Sequence, residues 1–135
     1  MASRADFYSR MSIFESQMRN DGSFEAHYKE NGILKYDYKK DKRYIAMFTS
    51  PKGSKEYNEA VALFGEAILN QAENPYNYIF RAEILNKHLK LEIDAQNIYE
   101  RVIDMDTDLN NIKSLRGFAL IGIGKNEEAI TWFNN

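Results

Sequence analysis

The chain has 135 residues, of which 44% are apolar and 28% charged, and this suits one folded domain or one short repeat array. It contains no cysteine, which excludes disulfides, thiol nucleophiles and cysteine-ligated zinc. The net charge of −2 is unevenly spread, because residues 1–55 carry 11 Lys and Arg against 7 Asp and Glu, whereas residues 56–135 carry 7 against 13.

Apolar spacing and turn residues divide the chain into eight predicted helices. They lie near residues 3–20, 23–30, 33–49, 54–71, 76–90, 92–105, 109–123 and 126–135. Asp21-Gly22, Asn31-Gly32 and Pro51-Lys52-Gly53 mark the first three breaks. Residues 23–38 have an alternative interpretation as a β-hairpin around Asn31-Gly32. The helical spacing of Ile33, Leu34 and Tyr38 favours the helix.

A small residue on a predicted helix recurs along the chain with a period of 34 or 35 residues. The members of this series are Ala26, Ala60, Ala95 and Ala129, and an aromatic residue follows three of them by four positions, at Phe64, Tyr99 and Phe133. A spacing of four residues puts the alanine and the aromatic on one helix face, where a neighbouring helix can approach closely. Each repeat unit is then a helical hairpin that buries its apolar face by stacking on the next.

Three motifs in the second half resemble the tetratricopeptide repeat (TPR) family. Arg81-Ala82 and Arg116-Gly117 stand 35 residues apart, where the first helix of that repeat has a large residue followed by a small one. The segment from Gly124 to Ile130 is similar to the inter-helix turn of the family, and Asn74-Pro75 to its junction between repeats. The resemblance is clearest in residues 54–135.

The resemblance implies an all-α fold, a right-handed stack of about four antiparallel helical hairpins in a single TPR-like domain over residues 1–135. The units would span roughly residues 3–32, 33–73, 74–108 and 109–135, with the first two irregular and the last incomplete. Such a stack has a concave groove lined by the first helix of each hairpin.

The groove-facing positions implied by this register form a mixed surface of polar and apolar side chains. In the third unit they are Tyr76, Ile79, Glu83, Asn86 and Lys87, and in the fourth Asn111, Ser114, Phe118 and Ile121. A surface of this kind suits an extended or helical peptide. We therefore expect a protein–protein interaction scaffold or adaptor that binds a segment of a protein or peptide partner in its groove.

Two other functions are compatible with the same sequence. The chain could be a homo-oligomeric assembly module that associates through the uncapped C-terminal end, near Trp132 and Phe133, because repeat arrays normally need a polar cap there. It could also be a targeting or regulatory TPR fragment of a larger enzyme.

The sequence gives little support to catalysis, and we predict neither an enzyme nor a cofactor or metal site. His27 and His88 lie far apart, and there is no phosphate-binding loop or nucleophile motif. The acidic run from Asp104 to Asp108 lacks the glycine and the final glutamate of a calcium loop, since Leu115 occupies the twelfth position. The glycine-spaced run from Gly117 to Gly124 indicates close helix packing.

The most basic segment, Lys35 to Tyr44, interleaves lysines with tyrosines, a pattern that can bind nucleic acid. Asp37 and Asp41 interrupt it, so we interpret it as a solvated helix face with some tyrosines packed inward and do not expect a nucleic-acid partner. No apolar run approaches the roughly 20 residues of a membrane span. The first residues do not resemble a secretory signal, and we expect a cytoplasmic protein without a membrane partner.

Overall fold

The computed structural model describes residues 4–22, 37–49, 53–107 and 112–134, with side-chain surroundings for those between residues 11 and 131. All regular secondary structure in these ranges is helical. The helices are α1 Arg4–Asn20, α2 Lys42–Phe48, α3 Ser54–Asn70, α4 Pro75–Lys87, α5 Glu92–Ile103, α6 Ile112–Gly122 and α7 Asn126–Asn134, with a single turn of 3-10 helix at Tyr38–Lys40. The all-α prediction is therefore confirmed. The proposed helix 23–30, its hairpin alternative up to residue 36, Ala26 and His27 lie outside the described residues.

The predicted helix 33–49 is wrong in its described part, because the chain is extended at Asp37 and again at Asp41. The Asp37 carboxylate accepts a hydrogen bond from the backbone N–H of Lys39, and the Asp41 carboxylate accepts one from Arg43. Both aspartates thus cap new helical turns instead of continuing one helix. The interruption shortens α2 to seven residues.

The ends of α4 follow from local chemistry. At its start the Asn74 side chain accepts a hydrogen bond of 3.0 Å from the backbone N–H of Tyr76, and Pro75 fills the first turn, where its missing N–H costs nothing. The helix ends at Lys87 rather than near residue 90, because Lys90 has a φ of 58°. This left-handed residue lets the N–H of Leu91 donate to the carbonyl of Leu85 at 2.8 Å, which closes the helix end.

Helices that follow one another from α2 to α7 pack together as neighbours, and α4 additionally contacts α1 and α6. As a result α4 is the most enclosed helix, with buried side chains on several of its sides. It separates two apolar clusters, which we call the N-terminal core and the C-terminal core. The N-terminal core consists of Phe14, Met18, Ala46, Ala60, Phe64, Phe80 and Ile84. The C-terminal core consists of Tyr78, Ile79, Ala82, Leu85, Ala95, Ile98, Tyr99, Val102, Leu115 and Ala119.

The alanines of the 34–35-residue series occupy these packed positions wherever their side chains are described. Ala60, Ala95 and Ala129 are all buried, and so are the aromatics Phe64 and Tyr99 that follow the first two. Each small residue lets the next helix approach, while the aromatic one turn later fills the remaining space. Within the described ranges, no helix is long and apolar enough to cross a membrane.

Candidate functional site

Four of the five predicted groove residues on α4 keep some exposure. Lys87 is exposed, whereas Tyr76, Glu83 and Asn86 are half-buried. Ile79 is only 6% exposed and belongs to the C-terminal core. Because a buried side chain offers no surface to a partner, Ile79 is excluded from the candidate site. It contributes instead to the packing around α4.

Glu83 and Asn86 face Tyr99, a buried residue of α5. Burial raises the pKa of the Tyr99 phenol, the negative charge of Glu83 raises it further, and a side-chain hydrogen bond with Asn86 lowers it only in part. Asn86 therefore holds the ring of Tyr99 in position between α4 and α5. A substitution of Asn86 would disturb the core as well as the surface.

On α6 the predicted residues Ser114, Phe118 and Ile121 are all exposed, with 51% of Phe118 and 48% of Ile121 accessible. Their spacing of four and then three residues puts them on one side of the helix. The side of α6 that carries Leu115 and Ala119 packs into the C-terminal core. Asn111 lies outside the described residues.

Because α4 and α6 are in contact, we take their accessible predicted residues together as one candidate surface, which we call the α4–α6 face. Its members are Tyr76, Glu83 and Lys87 from α4 and Ser114, Phe118 and Ile121 from α6. The face combines one carboxylate and one ammonium group with two large apolar side chains. Such side chains can bind a peptide non-covalently, through apolar contacts and through ion pairs with charges of both signs.

The predicted self-association residues Trp132 and Phe133 lie within α7, but their side chains are outside the description. Ile130 on the same helix is 57% exposed. The sequence did not single out Ile130, although its position next to the buried repeat alanine Ala129 would have indicated a surface residue.

A buried polar network, which the sequence pattern did not predict, links α1, α2 and α4. Arg43 forms ion pairs with Asp21 at 2.5 Å and with Asp41 at 2.9 Å, and the Asp21 side chain is only 1% exposed. Burial by itself lowers the pKa of Arg43, but the hydrogen bonds and charges of Asp41 and Asp21 outweigh it and raise the pKa above its ordinary value. Gln17 donates hydrogen bonds to Asp21 and to Asn77 of α4, which extends the network to the next helix.

Within residues 37–44, the described part of the basic segment, Arg43 is an exception to the solvated interpretation because it is only 5% exposed, whereas Lys39, Lys40 and Lys42 are exposed. The guanidinium of Arg43 also lies 5.8 Å from the centre of the Phe64 ring. The signal available in the sequence was the pair Asp37 and Asp41, each of which stands at a position typical of a helix cap. The partner Asp21 lies 22 residues before Arg43 in the chain, so no local sequence pattern indicates that the two residues pair.

His88 stacks on Tyr57 of α3, with ring centroids 4.2 Å apart and planes inclined by 7°. His88 therefore has a packing partner on α3. Among the residues with described side chains, no three His, Cys, Asp or Glu residues are grouped so that they could hold a metal ion.

The chain was compared with known proteins at three levels. It matches no family model, no curated protein and no solved structure.

Proposed function

We propose that the chain is a TPR-like scaffold whose α4–α6 face binds a segment of a partner protein. The observation that carries the proposal is the exposure of two large apolar side chains, Phe118 and Ile121, on a helix that contacts α4, which carries the accessible charges of Glu83 and Lys87. Large apolar side chains grouped on a surface are typical of binding sites, since they gain by leaving water.

The contact pattern supports a stack of hairpins. In such a stack the first helix of one unit packs against both helices of the preceding unit. Here α6 contacts α4 as well as α5, and the three described alanines of the series, Ala60, Ala95 and Ala129, are buried. On this basis we assign α4–α5 and α6–α7 as the third and fourth units and propose that the stack is right-handed, as the family resemblance implies.

The face also indicates what kind of segment would bind. Glu83 and Lys87 are separated by one helical turn, so a bound segment gains from a base and an acid at a matching separation. Phe118 and Ile121 require apolar residues on the same side of that segment. We therefore propose an amphipathic segment with an apolar stripe and both signs of charge.

The test is an affinity capture from the lysate of the native cell, read by mass spectrometry. The site variant is Glu83→Lys, Lys87→Glu, Phe118→Ser, which keeps the net charge. The matched control is Lys55→Glu, Glu66→Lys, Leu69→Ser, which makes the same types of change on α3, where all three residues are exposed. Circular dichroism verifies that both variants remain as helical as the wild type. Asn86 is left unchanged because of its hydrogen bond with Tyr99.

We expect partners that the wild type and the α3 control retain and the site variant loses. Partners retained equally by all three proteins would contradict binding through the α4–α6 face. The prediction that the chain is no enzyme and the alternative of a regulatory fragment of a larger enzyme stay predictions. The latter requires catalytic sequence beyond these 135 residues.

A further inference from the structure

The short helix α2 is covered by α1, which runs antiparallel to it. The ring of Phe14, in the second half of α1, lies edge-on to the ring of Phe48 at the end of α2, with ring centroids 5.7 Å apart. Asp21, which directly follows the last residue of α1, pairs with Arg43 at the start of α2. Rising positions in α1 therefore meet falling positions in α2, and the contact extends from one end of α2 to the other.

The helix α4 forms the second side of the same contact. Phe14 also lies edge-on to Phe80, with ring centroids 6.3 Å apart, and Gln17 donates a hydrogen bond to Asn77. Positions in α1 again rise as those in α4 fall, so α1 is antiparallel to both helices. It therefore lies in a groove between α2 and α4. We call this the α2–α4 groove, and its walls carry Arg43, Phe48, Asn77 and Phe80.

The residues of α1 that fill the groove have the spacing of a bound amphipathic helix. Phe14, Gln17 and Met18 are buried, and so is the side chain of Asp21. They stand at positions i, i+3, i+4 and i+7, which share one side of a helix and are the usual anchors of a helix bound in a groove. The residues exposed on the remainder of α1 are Ser12, Glu15, Ser16, Arg19 and Asn20. In contrast to α4, which is buried on several sides, α1 thus contacts its neighbours as a helical ligand does.

The groove selects its occupant by charge. Arg43 is 5% exposed, and its Nε and Nη2 both donate to the carboxylate of Asp41, the N-cap of α2. Its Nη1 donates to Asp21 of the occupant at 2.5 Å. An occupant without a carboxylate at this point loses a charge-assisted hydrogen bond with a buried cation.

The fit of α1 to the groove is incomplete. Gln17 Nε2 donates to Asp21 and to Asn77, but in the described part of the chain neither Oε1 of Gln17 nor Nδ2 of Asn77 has a hydrogen-bond partner. Both side chains are fully buried, and buried polar groups without partners weaken an interface. Together with the one-sided contact, this mismatch indicates a helix that leaves the groove before the rest of the chain unfolds.

We propose that the α2–α4 groove is a second helix-binding site, which α1 occupies as an internal ligand and which takes a partner helix when α1 leaves. The partner helix has an aromatic residue and, seven residues later, a carboxylate, so that it meets Phe48, Phe80 and Arg43 as α1 does. None of the four wall residues belongs to the α4–α6 face, so the proposal does not depend on binding there.

The test follows a fluorescently labelled peptide of residues 4–22 by anisotropy as it binds to the full chain. The released variant Phe14→Ala, Asp21→Asn weakens the docking of α1 and leaves every residue of the groove walls unchanged. We expect this variant to bind the peptide at least about 100-fold more tightly than the wild type, in which the tethered α1 competes at a high effective concentration. A peptide with the same two substitutions is the control and should not bind detectably.

Hydrogen exchange of the wild type is the second measurement. The amides of α1 should be protected at least about tenfold less than those of α4, because α1 leaves the groove without global unfolding. Equal protection of the two helices would overturn the proposal, since α1 would then open only when the whole chain unfolds.

The proposal is also overturned if the released variant binds no peptide, or if circular dichroism shows a loss of helix larger than the 17 residues of α1. A further arm adds Glu83→Lys, Lys87→Glu, Phe118→Ser to the released variant, and peptide binding should persist. Binding that these substitutions abolish would place the peptide on the α4–α6 face and would contradict a separate site.

Discussion

The two cores on either side of α4 are held together by different interactions. The C-terminal core combines the repeat pair Ala95 and Tyr99 with further small, aliphatic and tyrosine side chains from α4, α5 and α6. The N-terminal core is rich in aromatic rings, with Phe14 edge-on to Phe48 and Phe80, and a buried ion-pair network lies beside it. The N-terminal core also contains a repeat pair, Ala60 and Phe64, but it depends in addition on a few specific, non-repeating contacts.

The largest effect that separates the two regions is expected from Arg43→Ala. The substitution leaves the carboxylate of Asp21 buried without its cation, and losing one partner of a buried pair costs about 3–5 kcal/mol. Urea unfolding measures the loss of free energy of unfolding. The neighbouring variant Lys42→Ala is the control, because its ion pair with Glu59 is largely exposed and contributes about 0–1 kcal/mol. Equal effects of the two substitutions would show that the buried network does not stabilise the N-terminal region.

A smaller effect is expected from Gly122→Ala in the C-terminal region. The added Cβ would overlap the ring of Tyr99, and overpacking of this kind costs about 1–3 kcal/mol. In Gly65→Ala the new Cβ would lie at an ordinary 3.6 Å from Arg81, so better helix propensity should stabilise the protein by about 0.5–1 kcal/mol. The same unfolding assay compares the two. A neutral Gly122→Ala would mean that α5 and α6 are not packed closely at this glycine.

Alkaline pH should weaken the C-terminal core through Tyr99. Its pKa is raised in the folded state by burial, while the unfolded phenol ionises near pH 10. The unfolded chain therefore binds fewer protons than the folded one above about pH 10, and stability falls as pH rises, by up to about 1.4 kcal/mol per pH unit. Below pH 10 this contribution is fully present.

Tyr99→Phe should make the decline of stability with rising pH shallower. The midpoint of urea unfolding, measured at a series of pH values above about 10, would show this. Tyr57, which packs against the N-terminal core, also has its pKa raised by burial, but it is only partly buried. Tyr57→Phe is therefore expected to change the slope less. A larger change in this slope from Tyr57→Phe than from Tyr99→Phe would contradict the expectation that alkaline pH weakens the C-terminal core more than the N-terminal core.

The sequence predicted the second half of the fold well, because the repeat period, the helix-capping residues and the buried positions all indicate the same helices there. The predicted starts of α3, α5 and α7 coincide with the observed residues 54, 92 and 126, and the close packing expected of the run from Gly117 appears at Gly122. The error at the end of α4 arose because the left-handed residue is Lys90, a residue type that gives no such signal.

The N-terminal region was predicted less well for a physical reason. A pairing such as Asp21 with Arg43 is a tertiary contact between surface-type residues, and charge runs are ordinarily solvated. The candidate site shows the same limit. Helical register identified the exposed side of α6, but on α4 it could not separate Ile79, which is buried in the C-terminal core, from Glu83 one turn later.

The most direct test of the central claim is a map of where a bound segment touches the molecule. Peptides selected on the wild-type chain from a random display library would be titrated into isotopically labelled protein, with backbone amide shifts read by NMR. We expect the largest shifts in α4 and α6 around Glu83, Lys87 and Phe118, and no binding to the Glu83→Lys, Lys87→Glu, Phe118→Ser variant. Shifts centred on α3 or α5, with binding unchanged in that variant, would contradict the account.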